Sequence, residues 1–155
     1  MAQRYASEED WIRRYTEAGH ELDPLLQVYL PPEAEPSPEV SAGWGITERL
    51  IRETVAMADD LGARYVALVV PFEAAVRESS WSSFKGHRTA GKEMVRRHPE
   101  QRLGALFEYL GVDWIAVLDP FSQAAEEVLP YRDGHFNPAG HAITAELLFQ
   151  QLSRY

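Results

Sequence analysis

Cysteine is absent from this 155-residue chain, which excludes disulfides, thiolate nucleophiles and cysteine-ligated zinc or iron–sulfur centres. Asparagine occurs once, at Asn137, and the dipeptide Gly-Asp occurs nowhere. Positive charge is scarce: 15 Lys and Arg face 24 Asp and Glu, for a formal net charge of −9. That balance argues against a nucleic-acid partner, which calls for a basic face. Long hydrophobic runs are missing too. The longest, Tyr65 to Phe72, falls far short of the ~20 residues that cross a bilayer. The opening Met1-Ala2-Gln3-Arg4-Tyr5 has no apolar centre of the kind a signal peptide carries. As written, the chain is expected to engage no membrane and to stay cytoplasmic; nothing further in it names a compartment.

Hydrophobic residues make up 45% of the chain, enough for a packed core. A single domain spanning 1–155 is expected, and a chain this long buries about two thirds of its unfolded surface. Ser7-Glu8-Glu9-Asp10 resembles a helix cap, followed by Trp11, Ile12 and Tyr15 on one face. Leu25 to Leu30 reads as a short strand ended by Pro31-Pro32, and Glu33 to Ser41 as a polar loop. Ile46, Leu50, Ile51, Val55, Ala58 and Leu61 recur at helical steps up to Gly62. Tyr65 to Val70 is apolar throughout, as in a parallel strand covered on both faces. Helices are expected over His87 to Arg97 and from Pro99 to Leu110, with Gly111 as the stop. Trp114 to Leu118 is a third strand, Phe121 to Val128 a helical turn, and Asn137-Pro138 the start of a last helix with Ile143, Leu147, Leu148 and Leu152 inward. Strands alternating with helices predict an α/β domain with a parallel sheet. The exposed edges of so short a sheet invite a second chain, so a homo-oligomer is expected.

The chemistry concentrates in one segment, Asp133-Gly134-His135-Phe136-Asn137-Pro138-Ala139-Gly140-His141. It lies after the last strand and before the last helix, the end of an α/β sheet where ligands bind. Histidine is the residue type suited to proton transfer near neutrality, and an aspartate two positions away can fix its tautomer as a triad acid does. The plainer account is a tight Asp-Gly turn with a surface histidine.

The same segment, followed by an apolar helix, resembles the C-terminal block of the SGNH/GDSL hydrolase superfamily. The resemblance implies a three-layer flavodoxin-like α/β fold and ester hydrolysis of esterase, lipase or carbohydrate acetylesterase type. It assigns His135 as the catalytic histidine and Asp133 as the acid, and it implies no cofactor. Small acyl esters or acetylated carbohydrates are the implied substrates. Many members place the Asp three residues before the His, where this chain has Arg132. Upstream, Trp44 to Pro71 resembles the family's central helix and penultimate strand, and Gly19 to Leu30 the strand before the oxyanion-hole Asn.

Two of the family's blocks have no counterpart. There is no Gly-Asp-Ser nucleophile sequence, and Pro31-Pro32 stand where the oxyanion Asn is expected. The single asparagine, Asn137, is already placed as a helix cap. Ser79, Ser80, Ser82 and Ser83 gather beyond the second strand, at the correct end of the sheet, in a stretch that reads first as a solvated connection. Ser41 reads as a loop or capping residue. The chain is therefore expected to be either the C-terminal portion of a longer hydrolase, incomplete at its N-terminus, or an inactive relative that binds without hydrolysing. Asp133, His135 and His141 could also ligate a metal, though no HExxH pattern accompanies them. Trp44, Trp81 and Tyr131 could form the platforms of a glycan-binding module. His20, His87 and His98 read as solvated, and Glu48-Arg49-Arg52-Glu53 as a solvated helix face with local ion pairs.

Overall fold

The computed structural model describes residues 24–85, 93–124, 131–132 and 135–154. The helix expected around Trp11, the residues His20 and His87, and the acid Asp133 lie outside the described residues. The elements are α1 (Pro24–Gln27), α2 (Pro38–Asp60), β1 (Val66–Val69), α3 (Glu73–Val76), α4 (Glu78–Lys85), α5 (His98–Leu110), β2 (Asp113–Ala116), α6 (Leu118–Gln123), β3 (Tyr131–Arg132), β4 (His135–Phe136) and α7 (Pro138–Leu152).

Local chemistry sets the two long helices before the sheet. The Ser37 side chain accepts from the Val40 amide, and Pro38 takes the first turn, where a missing N–H is harmless. Both α2 and α5 end in the same way. Gly62 (φ 64°) and Gly111 (φ 67°) are left-handed, so Ala63 N–H donates to the Ala58 carbonyl at 2.8 Å and Val112 N–H to the Phe107 carbonyl at 2.9 Å. These closures satisfy carbonyls the helices leave open, and glycine adopts the required φ without a Cβ clash. Each turn feeds directly into a strand.

Strands β1 and β2 pair in parallel, with Val66 opposite Asp113 and Leu68 opposite Ile115. Alternation along β1 divides its side chains between two layers. Ala67 and Val69 pack with Ile51 of α2 and with Phe107 and Val112 of α5 and its exit turn. Leu68 packs on the opposite side against Ala75, Val76, Val117, Leu118 and Phe121, joined there by Phe136 and by Ile143 and Leu147 of α7. The covered-on-both-faces strand expected from the apolar run is therefore observed. Helix α5 approaches β2 closely: a Cβ on Gly104 would stand 2.7 Å from the Trp114 ring. A further cluster joins Tyr29, Ala74 and Trp81 beside Leu26 and Leu30, with Phe84 and Met94 shared between them.

Several expectations are corrected. Leu25 to Leu30 is not a strand: Pro24–Gln27 is helical and turns continue to Leu30, with Tyr29 N–H donating to the Leu26 carbonyl at 3.0 Å. The four-residue step from Leu26 to Leu30 puts both into one cluster, so helical spacing prevails over the continuous apolar run. The parallel sheet among the described residues thus has two strands rather than three, and β3 and β4 form a separate antiparallel pair. Helix α2 begins at Pro38, so Ser41 is helical and the cap is Ser37. Residues 93–97 are not helical. The serine-rich stretch is α4, a helix and not a loop. Leu152 faces outward, 53% exposed, because it falls in the final turn beyond the sheet. The ion pairs on α2 are present as read: Arg52 meets Glu48 at 2.8 Å and Arg49 meets Glu53 at 3.8 Å. Exposed i,i+4 pairs of this kind are weak, because solvent and salt screen them.

Candidate functional site

The carboxyl ends of the two parallel strands gather the short helices. Pro71 follows β1 and leads into α3 and α4, and Val117 follows β2 and leads into α6. The His135 segment joins them there through one aromatic contact. Phe136 meets Phe121 of α6 edge-on, ring centroids 5.0 Å apart, and Phe121 is 1% exposed. The next residue, Asn137, caps α7 by accepting from the Gly140 amide at 3.0 Å, with Pro138 in the first turn. The buried Thr144 hydroxyl donates to the Gly140 carbonyl at 2.8 Å. Phe136 also touches the His141 ring, 5.7 Å between centroids.

These contacts position His135 from its C-terminal side. Successive strand residues point to opposite faces, so with Phe136 turned into the cluster, His135 is turned outward and is exposed. The β3–β4 register sets Arg132 opposite His135 and Tyr131 opposite Phe136. The sequence placed His135 in a loop; the structure places it on a two-residue strand whose other residue, Phe136, is packed on Phe121 and which leads into a capped helix. His141 is exposed in the first turn of α7, and among the described residues no group of three His, Asp or Glu is arranged to hold a metal ion.

The serines lie near the same end of the sheet. Ser79, Ser80 and Ser83 line a cavity of about 560 Å³ with Phe72, Glu73 and Phe84. Ser80 donates to the Glu73 carboxylate at 3.1 Å, and Arg77 contacts the same oxygen at 3.2 Å. Glu73 and Ala74 of this cavity stand on α3, whose Ala75 and Val76 belong to the cluster that Phe136 joins. One packed layer therefore connects the serine cavity to the strand of His135. Phe72, 70% exposed, offers an aromatic surface at its mouth.

The proposed aromatic platforms do not form as read. Trp81 is 4% exposed, locked against Tyr29 and Phe84 at centroid distances of 5.3 and 5.7 Å. Trp44 is half-buried beneath Arg102, 4.3 Å from ring to guanidinium. The Tyr131 side chain lies outside the described residues. His98, read as solvated, is the half-buried first residue of α5. Burial, and then the neighbouring Arg102, pushes its pKa down, partly offset by Glu33.

No family model matches this chain, and no curated protein or solved structure does either.

One buried acid was invisible to sequence reasoning. Glu100, in the first turn of α5, is 9% exposed, and its Oε2 has no hydrogen-bond partner. Burial raises its pKa above the ordinary glutamate value. Burial and then Glu100 raise the phenol of Tyr29 to about 12. Because the folded state favours protonated Glu100, its ionisation weakens the fold as pH rises past the ordinary glutamate range. Glu100→Gln is therefore expected to raise Tm at pH 7 and to leave it unchanged near pH ~3, where both states hold the proton. Melting curves at the two pH values check this; an equal gain at both would mean that ionisation is not the cause.

Proposed function

We propose that this chain carries the histidine side of an SGNH/GDSL-type ester hydrolase site, with His135 as general base and Asp133 as the acid that orients it. The domain belonging to such a site is a flavodoxin-like three-layer α/β fold, and the observed parallel pair covered by helices on both faces is compatible with it. The observation that carries the reading is the placement of His135. It is exposed at the ligand-binding end of a parallel sheet, fixed by Phe136 against Phe121 and by the Asn137 cap.

A base held in one place can take a proton from a serine hydroxyl as that oxygen attacks an ester carbonyl, then return it to the leaving alcohol. The serine cavity adjoining this layer is the natural source of the hydroxyl, and short acyl esters, including acetylated carbohydrates, suit its size. A second reading, a domain that binds esters or glycans without turnover, is favoured by the missing Gly-Asp-Ser.

Covalent labelling separates the two. A phosphonofluoridate probe is expected to modify one serine of the wild-type chain, located by peptide mass spectrometry, and to leave His135→Ala unmodified. Absence of any adduct, together with no cleavage of p-nitrophenyl acetate above buffer, would favour the binding domain.

A further inference from the structure

Charges of both signs line a second cavity without an ion pair between them among the described residues. It holds about 540 Å³ between the proline-rich turn after α1 and one flank of α5. His98, Gln101, Arg102 and Ala105 of α5 line it at three- and four-residue steps, one face of the helix. Glu33 and Glu35 line it from the turn.

Arg102 differs from most of the described arginines. Arg49, Arg52, Arg64, Arg77, Arg96 and Arg97 each hold a carboxylate. Among the described residues no carboxylate pairs with Arg102, and neither Glu33 nor Glu35 forms an ion pair, Glu33 acting on His98 only through its field. Arg102 has instead the face of Trp44, whose indole N–H is buried without an acceptor. A partly buried guanidinium lacking an oxygen partner forfeits its strongest interaction, the two parallel hydrogen bonds of a carboxylate.

The cavity's other features restrict what could supply that carboxylate. Two glutamates would repel a doubly charged phosphate, and Arg102 would repel a simple cation. A ligand bearing both a carboxylate and an ammonium group satisfies both sets, and Leu30, Pro31 and Pro36 give apolar walls for a side chain. We infer that this cavity binds a free α-amino acid, its carboxylate on Arg102 and its ammonium toward Glu33 and Glu35. The inference uses neither His135 nor the serine cavity, so it stands apart from the hydrolase reading.

The test is an NMR titration of the full ¹⁵N-labelled chain at neutral pH, following the Trp44 indole N–H. L-Phenylalanine is expected to give a saturable shift. N-acetyl-L-phenylalanine, which lacks the ammonium, and L-phenylalaninamide, which lacks the carboxylate, are each expected to bind about tenfold more weakly or worse. Arg102→Gln should abolish the preference for the free acid over the amide. Because that change also removes the contact with Trp44, Ala105→Phe serves as the second variant: it fills the cavity from an exposed helix position and should block binding with the charges intact. The inference is overturned if L-phenylalanine gives no saturable shift up to about 10 mM, if either derivative binds as well as the free amino acid, or if Ala105→Phe binds normally.

Discussion

Phe121→Ala is expected to destabilise the protein by about 3–5 kcal/mol, the usual cost of truncating a buried phenylalanine. Phe121 is 1% exposed and sits at the junction of α6, β4 and the layer over Leu68. A domain of this kind has roughly 5–15 kcal/mol to lose, so the variant should be largely unfolded in mild urea. The comparison that gives the number meaning is Phe72→Ala. Phe72 is 70% exposed, and its loss should alter stability by no more than about 0.5 kcal/mol. Urea midpoints for the two variants decide the matter. Equal midpoints would show that the layer holding His135 is not packed as described. The two substitutions look alike in the sequence, and only the tertiary contacts separate them.

His135→Ala should produce the opposite pattern, with activity lost and stability kept. The imidazole is exposed, so its removal should leave the unfolding free energy, read from the urea midpoint, within about 0.5 kcal/mol of the parent. A positioned general base typically contributes about 10²- to 10⁴-fold, and p-nitrophenyl acetate turnover should fall by that factor. The fall should appear equally in kcat and kcat/KM, because proton abstraction belongs to the transition state and not to ground-state binding. His141→Ala is the control. That ring lies against Phe136 rather than beside the proposed chemistry, so a small indirect effect is expected. A His135→Ala protein that cleaves the ester at the parental rate would remove the hydrolase reading altogether.

How much of this was legible beforehand differs from element to element. The helix beginning at Pro138, the Gly111 stop and the strand at Val66–Val69 follow from local rules: a cap with a first-turn proline, a left-handed glycine, an apolar run; the Ser37-Pro38 start of α2 was hidden in what read as a polar loop. Leu25 to Leu30 was misread because a short apolar run fits a strand and a buried helical turn equally well. The packing of Leu26 and Leu30 against Phe84 and Met94 settled it. Arg102 and Glu33 showed nothing in the sequence beyond an ordinary charged helix and a polar loop. Their shared cavity arises only because the turn after α1 folds across the flank of α5.

The segment Asp133 to His141 shows the same division. By itself the sequence determined that Asn137 caps a helix, that Pro138 opens it, and that a histidine stands two residues before the cap, since these depend on bonds among near neighbours. Tertiary structure alone decided which way that histidine faces. Phe136 found Phe121, a partner 15 residues earlier on another element, and strand alternation then turned His135 outward. Contacts across such a separation depend on how layers pack, which no local pattern encodes.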